Sequence, residues 1–384
     1  MTNKQLKEEI IAYSKKIGID KIKFTSADPF VTLKERLQEQ QKLGYDSGFE
    51  TGTIEERTEP EKLLAEAKTI VSIALAYPSK LKNPPKSIKG RRRGIFCRAS
   101  WGEDYHHILR RKLAQLEDFI LEKFPQEKCL SMVDTGQLSD RAVAERAGMG
   151  WSGKNCSIIT PEFGSFVYLG ELLTTISLPI DQPIEDQCGE CNKCVEACPT
   201  SALIQGGQLD ANKCLAFLTQ TKDILEDKYR EKIGNRLYGC DTCQIVCPKN
   251  KGMDFRHHHE MEPDPHLVKA ELIPLLKISN REFKEKYGLL AGAWRGKKPI
   301  QRNAIIGLAH FKEESALAVL FELVKSDPRP EIRGTAAWAI GKIGGQESGD
   351  FLMQAREEEK DPVVLQEIDK GLALLEKNVD SLSE

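Results

Sequence analysis

Four cysteines stand at positions 188, 191, 194 and 198, spaced by two, two and three residues, and Pro199 follows the last. Thiolates in that order wrap an iron–sulfur cube, as in the bacterial ferredoxin run. The spacing therefore predicts one-electron chemistry. Downstream lie Cys214, Cys240, Cys243 and Cys247, and the end of this second set, Cys243-x3-Cys247-Pro248, repeats the end of the first. In two-cluster ferredoxins the fourth cysteine of such a run serves the other cluster. The pattern thus predicts two [4Fe-4S] clusters, one on Cys188, Cys191, Cys194 and Cys247, the other on Cys198, Cys214, Cys240 and Cys243. CxxC pairs also build zinc sites, but the full run with its trailing proline is far more specific to iron–sulfur.

A second glycine-rich segment, "GMGWSGKN" at 148–155, imitates both a dinucleotide fingerprint and a P-loop. Both motifs need a strand before the glycines and a helix after them. Here the helical pattern "SDRAVAERAG" precedes and a strand pattern follows, and Asn155 stands where a P-loop needs Ser or Thr. NAD and nucleoside triphosphates are therefore rejected. The glycines are expected to let backbone approach a flat, bulky ligand.

These groups need a scaffold. The chain has 384 residues, 40% hydrophobic and 30% charged, which implies two or three domains of soluble character. The start "MTNKQLKEEI" lacks an apolar signal core, and the longest apolar run, "TIVSIALAY", is about half of what a membrane span needs. A cytoplasmic location follows, and a reducing cytoplasm argues against disulfides among the eleven cysteines. Helical periodicity over 3–18 is followed by a strand at "KIKFTSA"; "TIVSIALAY" reads as a buried strand and "DYHHILRRKLAQLEDFILEKF" as a long helix. "CLSMVD" is a short strand ending in Asp134, and residues 156–176 read as a hairpin turning near Pro161–Gly164. The fold class is α+β (mixed α/β).

Asp134, at a strand end beside apolar Val133, is the candidate general acid with a raised pKa; the plain alternative is a turn or cap aspartate. Cys97 is better read as a buried small residue than as a site thiol. The 25 residues between Cys214 and Cys240 read as helix and a Gly-Asn turn, more than a simple electron carrier needs. Beyond Cys247 all is helical: "PIQRNAIIGLAHF" and "PEIRGTAAWAIGKI" share a pattern at an offset of 31 residues, and a third copy begins at "DPVVLQEIDKGLALL". That period predicts a HEAT-type α-solenoid with an acidic cap. Domains are expected at 1–178, 179–255 and 256–384.

Net charge is only −2, yet eight Lys or Arg lie between Lys80 and Arg98 without an acid, and Arg295, Lys297, Lys298 and Arg302 form a second basic island. Each is either a solvated loop or a phosphate-contact surface.

Taken in order, "WGEDYHHILRRKL", "VDTGQLSDRAVAERAGMGWSGKN", "GSFVYLGELLTT", the two cysteine runs and "AWRGKKPIQRNAIIGLAH" resemble the epoxyqueuosine reductases, tRNA-modifying relatives of reductive dehalogenases, over nearly the whole chain. The family pattern often has Pro where Gln137 stands and Glu where Asp140 stands. The resemblance implies a cobalamin between the N-terminal and ferredoxin parts, near Arg57, Cys97, Asp134, Ser157, Ile158, Leu169 and Gly170. No D-x-H-x-x-G motif is present, since "DYHHIL" at 104–109 ends in Leu, so base-off binding without a protein ligand is implied. The implied reaction is reduction of the epoxide of epoxyqueuosine at the wobble base by Co(I), with Asp134 protonating the opening oxygen and water leaving. Arg141, Arg295, Lys297, Lys298 and Arg302 become the expected tRNA contacts, with single-stranded loop recognition. A flavodoxin or ferredoxin is the expected donor and a monomer the expected state. The competing readings are a dehalogenase-like reductase of a small electrophile, a non-enzymatic iron–sulfur carrier on a tRNA-binding scaffold, and purely structural clusters.

Overall fold

The computed structural model describes residues 2–380. The chain packs as two compact units that interleave along the sequence. The first holds the stretch up to Lys80, Arg98–Cys214 and Asp241–Glu262; the second holds Leu81–Cys97, Leu215–Cys240 and the chain from Pro263 on. The consecutive stretches drawn from the sequence cut across this division, because 81–97 and the insert 215–239 pack with the C-terminal helices.

The first unit is built on a four-stranded antiparallel sheet. Its strands are β1 (Lys21–Ser26), β2 (Thr69–Ala76), β3 (Cys129–Met132) and β4 (Val167–Thr174), in the order β1-β2-β4-β3. All eight residues of β2 are buried, so both its faces are covered and its side chains alternate between two cores. One face carries Val71, Ile73 and Leu75 against helices α1 (Asn3–Lys16) and α2 (Tyr105–Lys123), through Leu6, Ile10, Leu109, Leu113 and Leu116. Each such side chain contributes about 1.5–3 kcal/mol by leaving water. The other face carries Ile70 and Leu173 against Val143 of helix α3 (Asp140–Arg146) and Leu138 from the loop before it.

Local chemistry starts and stops these elements. Thr2 caps α1 in a reciprocal box with Gln5, and Gly18, with φ of 77°, closes it as expected. Asp104 caps α2 by accepting the His106 N–H at 3.0 Å. The hairpin expected over 156–176 forms differently. The turn is closed by a bridge between Thr160 and Gly164, but Ile158–Ile159 pairs with Trp151–Ser152, while β4 pairs with β2 and β3. The apolar runs were compatible with either partner, and the fully buried β2 took β4.

In the second unit α4 (Lys297–His310), α5 (Pro330–Ile343) and α6 (Pro362–Asp380) follow the expected repeat, separated by the shorter helices Leu317–Ser326 and Ser348–Glu358. The insert after Cys214 gives helices Leu215–Leu218 and Asp227–Ile233 and a strand, Arg236–Tyr238, parallel to Ile95–Phe96. It is tied to the repeats by Arg230, whose buried Nη1 is 2.5 Å from Glu367 Oε2, with the guanidinium over the Trp338 ring. Among the described residues no helix is long and apolar enough to cross a membrane.

Candidate active site and iron–sulfur centre

In the first unit Cys188, Cys191, Cys194 and Cys247 line one cavity of about 80 Å³, together with Lys154, Asn155, Ile159, Gln187, Lys193 and Lys249. Two short helices, Lys193–Glu196 and Thr242–Ile245, carry Cys194 and Cys243, and the residue before the closing proline is extended, with Cys247 at φ −68° and ψ 123°. A mononuclear zinc needs its sulfurs about 2.3 Å from one point. Among the described residues no three His, Cys, Asp or Glu side chains converge in that way. Four thiols on the walls of one cavity match the ligand number of a [4Fe-4S] cluster. Of the second expected set, Cys198 accepts the Ala202 N–H at 3.3 Å.

Asp134 directly follows Val133 at the end of β3, in the left-handed region with φ of 48°. Aspartate tolerates that conformation better than most side chains. Its N–H donates to Asp140 Oδ2 at 2.8 Å, and Thr51 Oγ1 holds the loop by donating to the Gly136 carbonyl at 3.0 Å. The Asp134 carboxylate is 58% exposed, and its Oδ2 lies 3.2 Å from His106 Nε2. The other ring nitrogen, Nδ1, is 2.7 Å from Asp104 Oδ1. The residue that caps α2 therefore also orients the histidine two residues on.

Burial opposes a charge on His106, but the bonds to Asp104 and Asp134 win and push it up to about 9. The His106 bond holds Asp134 below the usual carboxylate range, against the partial burial that would raise it. The raised pKa expected for Asp134 is thus reversed: the neighbouring imidazolium, invisible in the linear pattern, outweighs apolar Val133. Beneath this pair sit two further carboxyls. Burial, with help from the charge of Asp134, pushes Asp140 up to about 6. Glu171, on β4 and 1% exposed, lies against Asp140 with neither oxygen in a well-aligned hydrogen bond, and burial raises it well above the usual value. A protonated Glu171 removes the cost of an unpaired buried charge.

The other expected positions in this unit gather along the open edge of β4. Strand β3 covers only Glu171–Thr174, which leaves the edge from Val167 to Gly170 beyond it. Leu169 and Val167 pack there with buried Ile158, Met149 and Ala144. Arg141 donates to the Cys156 carbonyl, one residue before Ser157. Arg57 is held down by burial, with the nearby Arg141 charge adding and Glu50 opposing. Gly170 also serves the packing: a Cβ there would stand 3.2 Å from Leu113, so the glycine fits α2 onto the sheet. Cys97 belongs to the second unit and abuts Gly239, where a Cβ would come within 2.3 Å of its sulfur.

The glycine-rich segment 148–155 also departs from expectation. A Cβ on Gly148 would meet the Gln182 carbonyl at 2.1 Å, and one on Gly150 would meet the Ile159 carbonyl at 2.4 Å. These glycines admit the protein's own backbone, where a ligand was expected.

A family model described as epoxyqueuosine reductase QueG matches residues 57–135, a 4Fe-4S double cluster binding domain matches 187–250, and HEAT repeats match 289–373. An epoxyqueuosine reductase of Bacillus anthracis is 66% identical over 98% of this chain and 99% of its own. The chain belongs to the epoxyqueuosine reductase family. The Bacillus subtilis reductase is 63% identical over 97% of this chain and 96% of its own. A crystal structure of an epoxyqueuosine reductase with an epoxyqueuosine-modified tRNA-Tyr stem loop superposes with a TM-score of 0.96, at 63% identity, covering 97% of this chain and 99% of that one. Another, of the Bacillus subtilis enzyme, has its Asp134 catalytic loop swung out of the active site (TM-score 0.95, 62% identity, 97% and 99% covered).

Within this family member, one expected tRNA contact is corrected. Arg302 is 1% exposed, and its guanidinium donates to the carbonyls of Leu218, Thr221 and Asp223 and to Asn303 Oδ1. It closes the backbone of the insert and cannot reach a phosphate. Arg295 and Lys297 are half-buried, on the carbonyls of Gln220 and Ile278, and Lys298 is paired with Glu331. The first basic island is likewise partly spent: Arg91 and Arg93 bind Glu271, and Arg92 binds Glu313. Lys82, Lys86 and Lys89 stay exposed. His106, Asp140 and Trp151 carry no linear signal that sets them apart. For Glu171 there was one, a lone carboxylate in an otherwise uncharged strand.

Proposed function

We propose that this chain reduces epoxyqueuosine to queuosine at the wobble position of tRNA anticodons, the last step of queuosine formation. Family membership supports the reaction, and the observation that carries the mechanism is the exposed Asp134 carboxylate held on the His106 imidazolium beside the open edge of β4. The reaction consumes two electrons and two protons and releases one water as the epoxide becomes an alkene. Cysteines at 188, 191, 194 and 247 would hold one cluster, and those at 198, 214, 240 and 243 the other, delivering electrons singly.

A cobalamin would rest on the apolar ledge of Val167, Leu169 and Ile158 with Arg57 and Asp134 beside it, and Ser157 and Gly170 would border it through backbone. When bound it supplies a low-valent, strongly nucleophilic cobalt. The protein supplies the proton. At neutral pH that proton rests on His106 Nε2 and Asp134 is ionised. As negative charge develops on the opening epoxide oxygen, Asp134 Oδ2 takes the proton from Nε2 and passes it on, while Asp104 keeps the ring aligned. The Bacillus subtilis structure with its Asp134 loop swung out supports a loop that carries the acid into place. Arg141, Arg295, Lys297 and Lys298 are the candidate tRNA contacts, a flavodoxin or ferredoxin the electron donor, and the acting species a monomer.

The test is turnover by anaerobically reconstituted protein with cobalamin, a one-electron reductant and epoxyqueuosine tRNA, read by mass spectrometry of digested nucleosides. Loss of one oxygen, dependent on cobalamin, is the expected result. No loss with clusters and corrinoid both bound would overturn the substrate assignment.

A further inference from the structure

Two side chains of the segment "GWSGK" at 150–154, together with Lys249, point at the cysteine cavity. Trp151 is 2% exposed, and its Nε1 lies 3.4 Å from Cys188 Sγ, within reach for an N–H donor to sulfur. Lys154 Nζ donates to the Gly189 carbonyl at 2.7 Å and to Asn192 Oδ1 at 3.1 Å, which pins the turns that carry Cys188, Cys191 and Cys194. Lys249, two residues after Cys247, places its ammonium 5.5 Å from the Trp151 ring centroid and lines the same cavity. A buried indole has one polar atom, and it needs a partner. Here that partner is the sulfur of Cys188.

Hydrogen bonds and positive charge at cluster sulfurs stabilise the more negative, reduced state and raise its potential. We propose that Trp151 tunes the cluster held by Cys188, Cys191, Cys194 and Cys247, its indole N–H raising that cluster's reduction potential, with Lys249 adding charge across the same ring. The inference rests on the assignment of those four cysteines to one cluster. It gives the segment a role in electron delivery, and explains why Gly148 and Gly150, just before the indole, pack against Gln182 and Ile159: close backbone packing holds the indole at one distance from the sulfur.

The test is a redox titration of the anaerobic holoprotein, following both clusters by electron paramagnetic resonance, in the native chain, Trp151→Phe and Lys249→Gln. Phenylalanine keeps most of the bulk and removes the N–H. The expected result for Trp151→Phe is about a tenfold loss in the reduction equilibrium of one cluster, 59 mV for a one-electron couple, with the other cluster unmoved. Lys249→Gln should lower the same cluster's potential by less. Unchanged potentials in Trp151→Phe with iron content intact would overturn the proposal. If Trp151→Phe loses iron, Lys249→Gln decides: a lowered potential supports the tuning, an unchanged one overturns it. A native chain that takes up no cluster at all would instead overturn the cysteine assignment.

Discussion

His106 Nε2 stands 3.2 Å from Asp134 Oδ2, and the same ring is fixed through Nδ1 by Asp104 at 2.7 Å, so a helix cap and a strand end meet on one imidazole. Neither acid nor base alone describes this site; the pair holds one proton between two atoms. Asp134→Asn and Asp134→Ala should each cut turnover by about 10²–10⁴-fold, the usual worth of a positioned proton donor. His106→Gln should lower kcat by about 10–100-fold with KM for tRNA little changed, since it removes the proton's resting place and leaves the loop. Single-turnover assays on cobalamin-loaded protein measure both. A His106→Gln variant with native kcat would refute the shared-proton reading.

The same pair fixes a pH dependence. His106 titrates near 9 when folded and near 6.5 when unfolded, so its contribution is fully present below about 6.5 and is lost as pH rises through 9. Asp134 has its folded value lowered, so its contribution is present above the ordinary carboxylate range and lost as pH falls through its folded value. Because Asp134 is more than half exposed, solvent screening holds the pair to about 1 kcal/mol. The melting temperature of the native chain should exceed that of His106→Gln at pH 7, and the two should converge above pH 9. Turnover should show a basic limb near 9.

Removing one cluster should leave the other countable. Cys247→Ser is expected to lose about half the bound iron, and Cys214→Ser the other half, if each cube has its own four thiolates. Iron assay with absorbance of the reconstituted protein checks this. Equal, complete loss in both variants would mean that the two sets assemble as one unit.

Arg302 and Arg141 should separate folding from binding. Arg302→Ala removes the buried guanidinium that joins the carbonyls of Leu218, Thr221 and Asp223, leaves the buried Leu218 carbonyl without a donor, and should cost about 1–3 kcal/mol of stability, read by thermal or urea unfolding. Arg141→Ala should leave the fold intact and weaken tRNA binding, reducing the salt slope of the affinity by about one. A salt titration that shows no change for Arg141→Ala would remove it from the interface.

The linear order of residues by itself determined the elements whose information is local. Cysteine spacing with a trailing proline marked the segment that matches a 4Fe-4S double cluster domain, and the 31-residue offset between Pro299 and Pro330 marked the repeats, because each pattern is a property of neighbouring residues on one turn or one helix. The family resemblance came from such stretches read in order. Tertiary structure alone decided the rest. Arg302 reads as one charge of a basic island, and only packing reveals that its buried guanidinium is spent on three carbonyls of a segment some 80 residues away. Asp134 reads as an acid beside an apolar residue, and only the meeting of α2 with the end of β3 puts an imidazolium against it and reverses its pKa. Glu171, Asp140 and Trp151 follow the same rule. Charge and hydrogen bonding act through space within a few ångströms, and sequence distance carries no record of which groups the fold will bring that close.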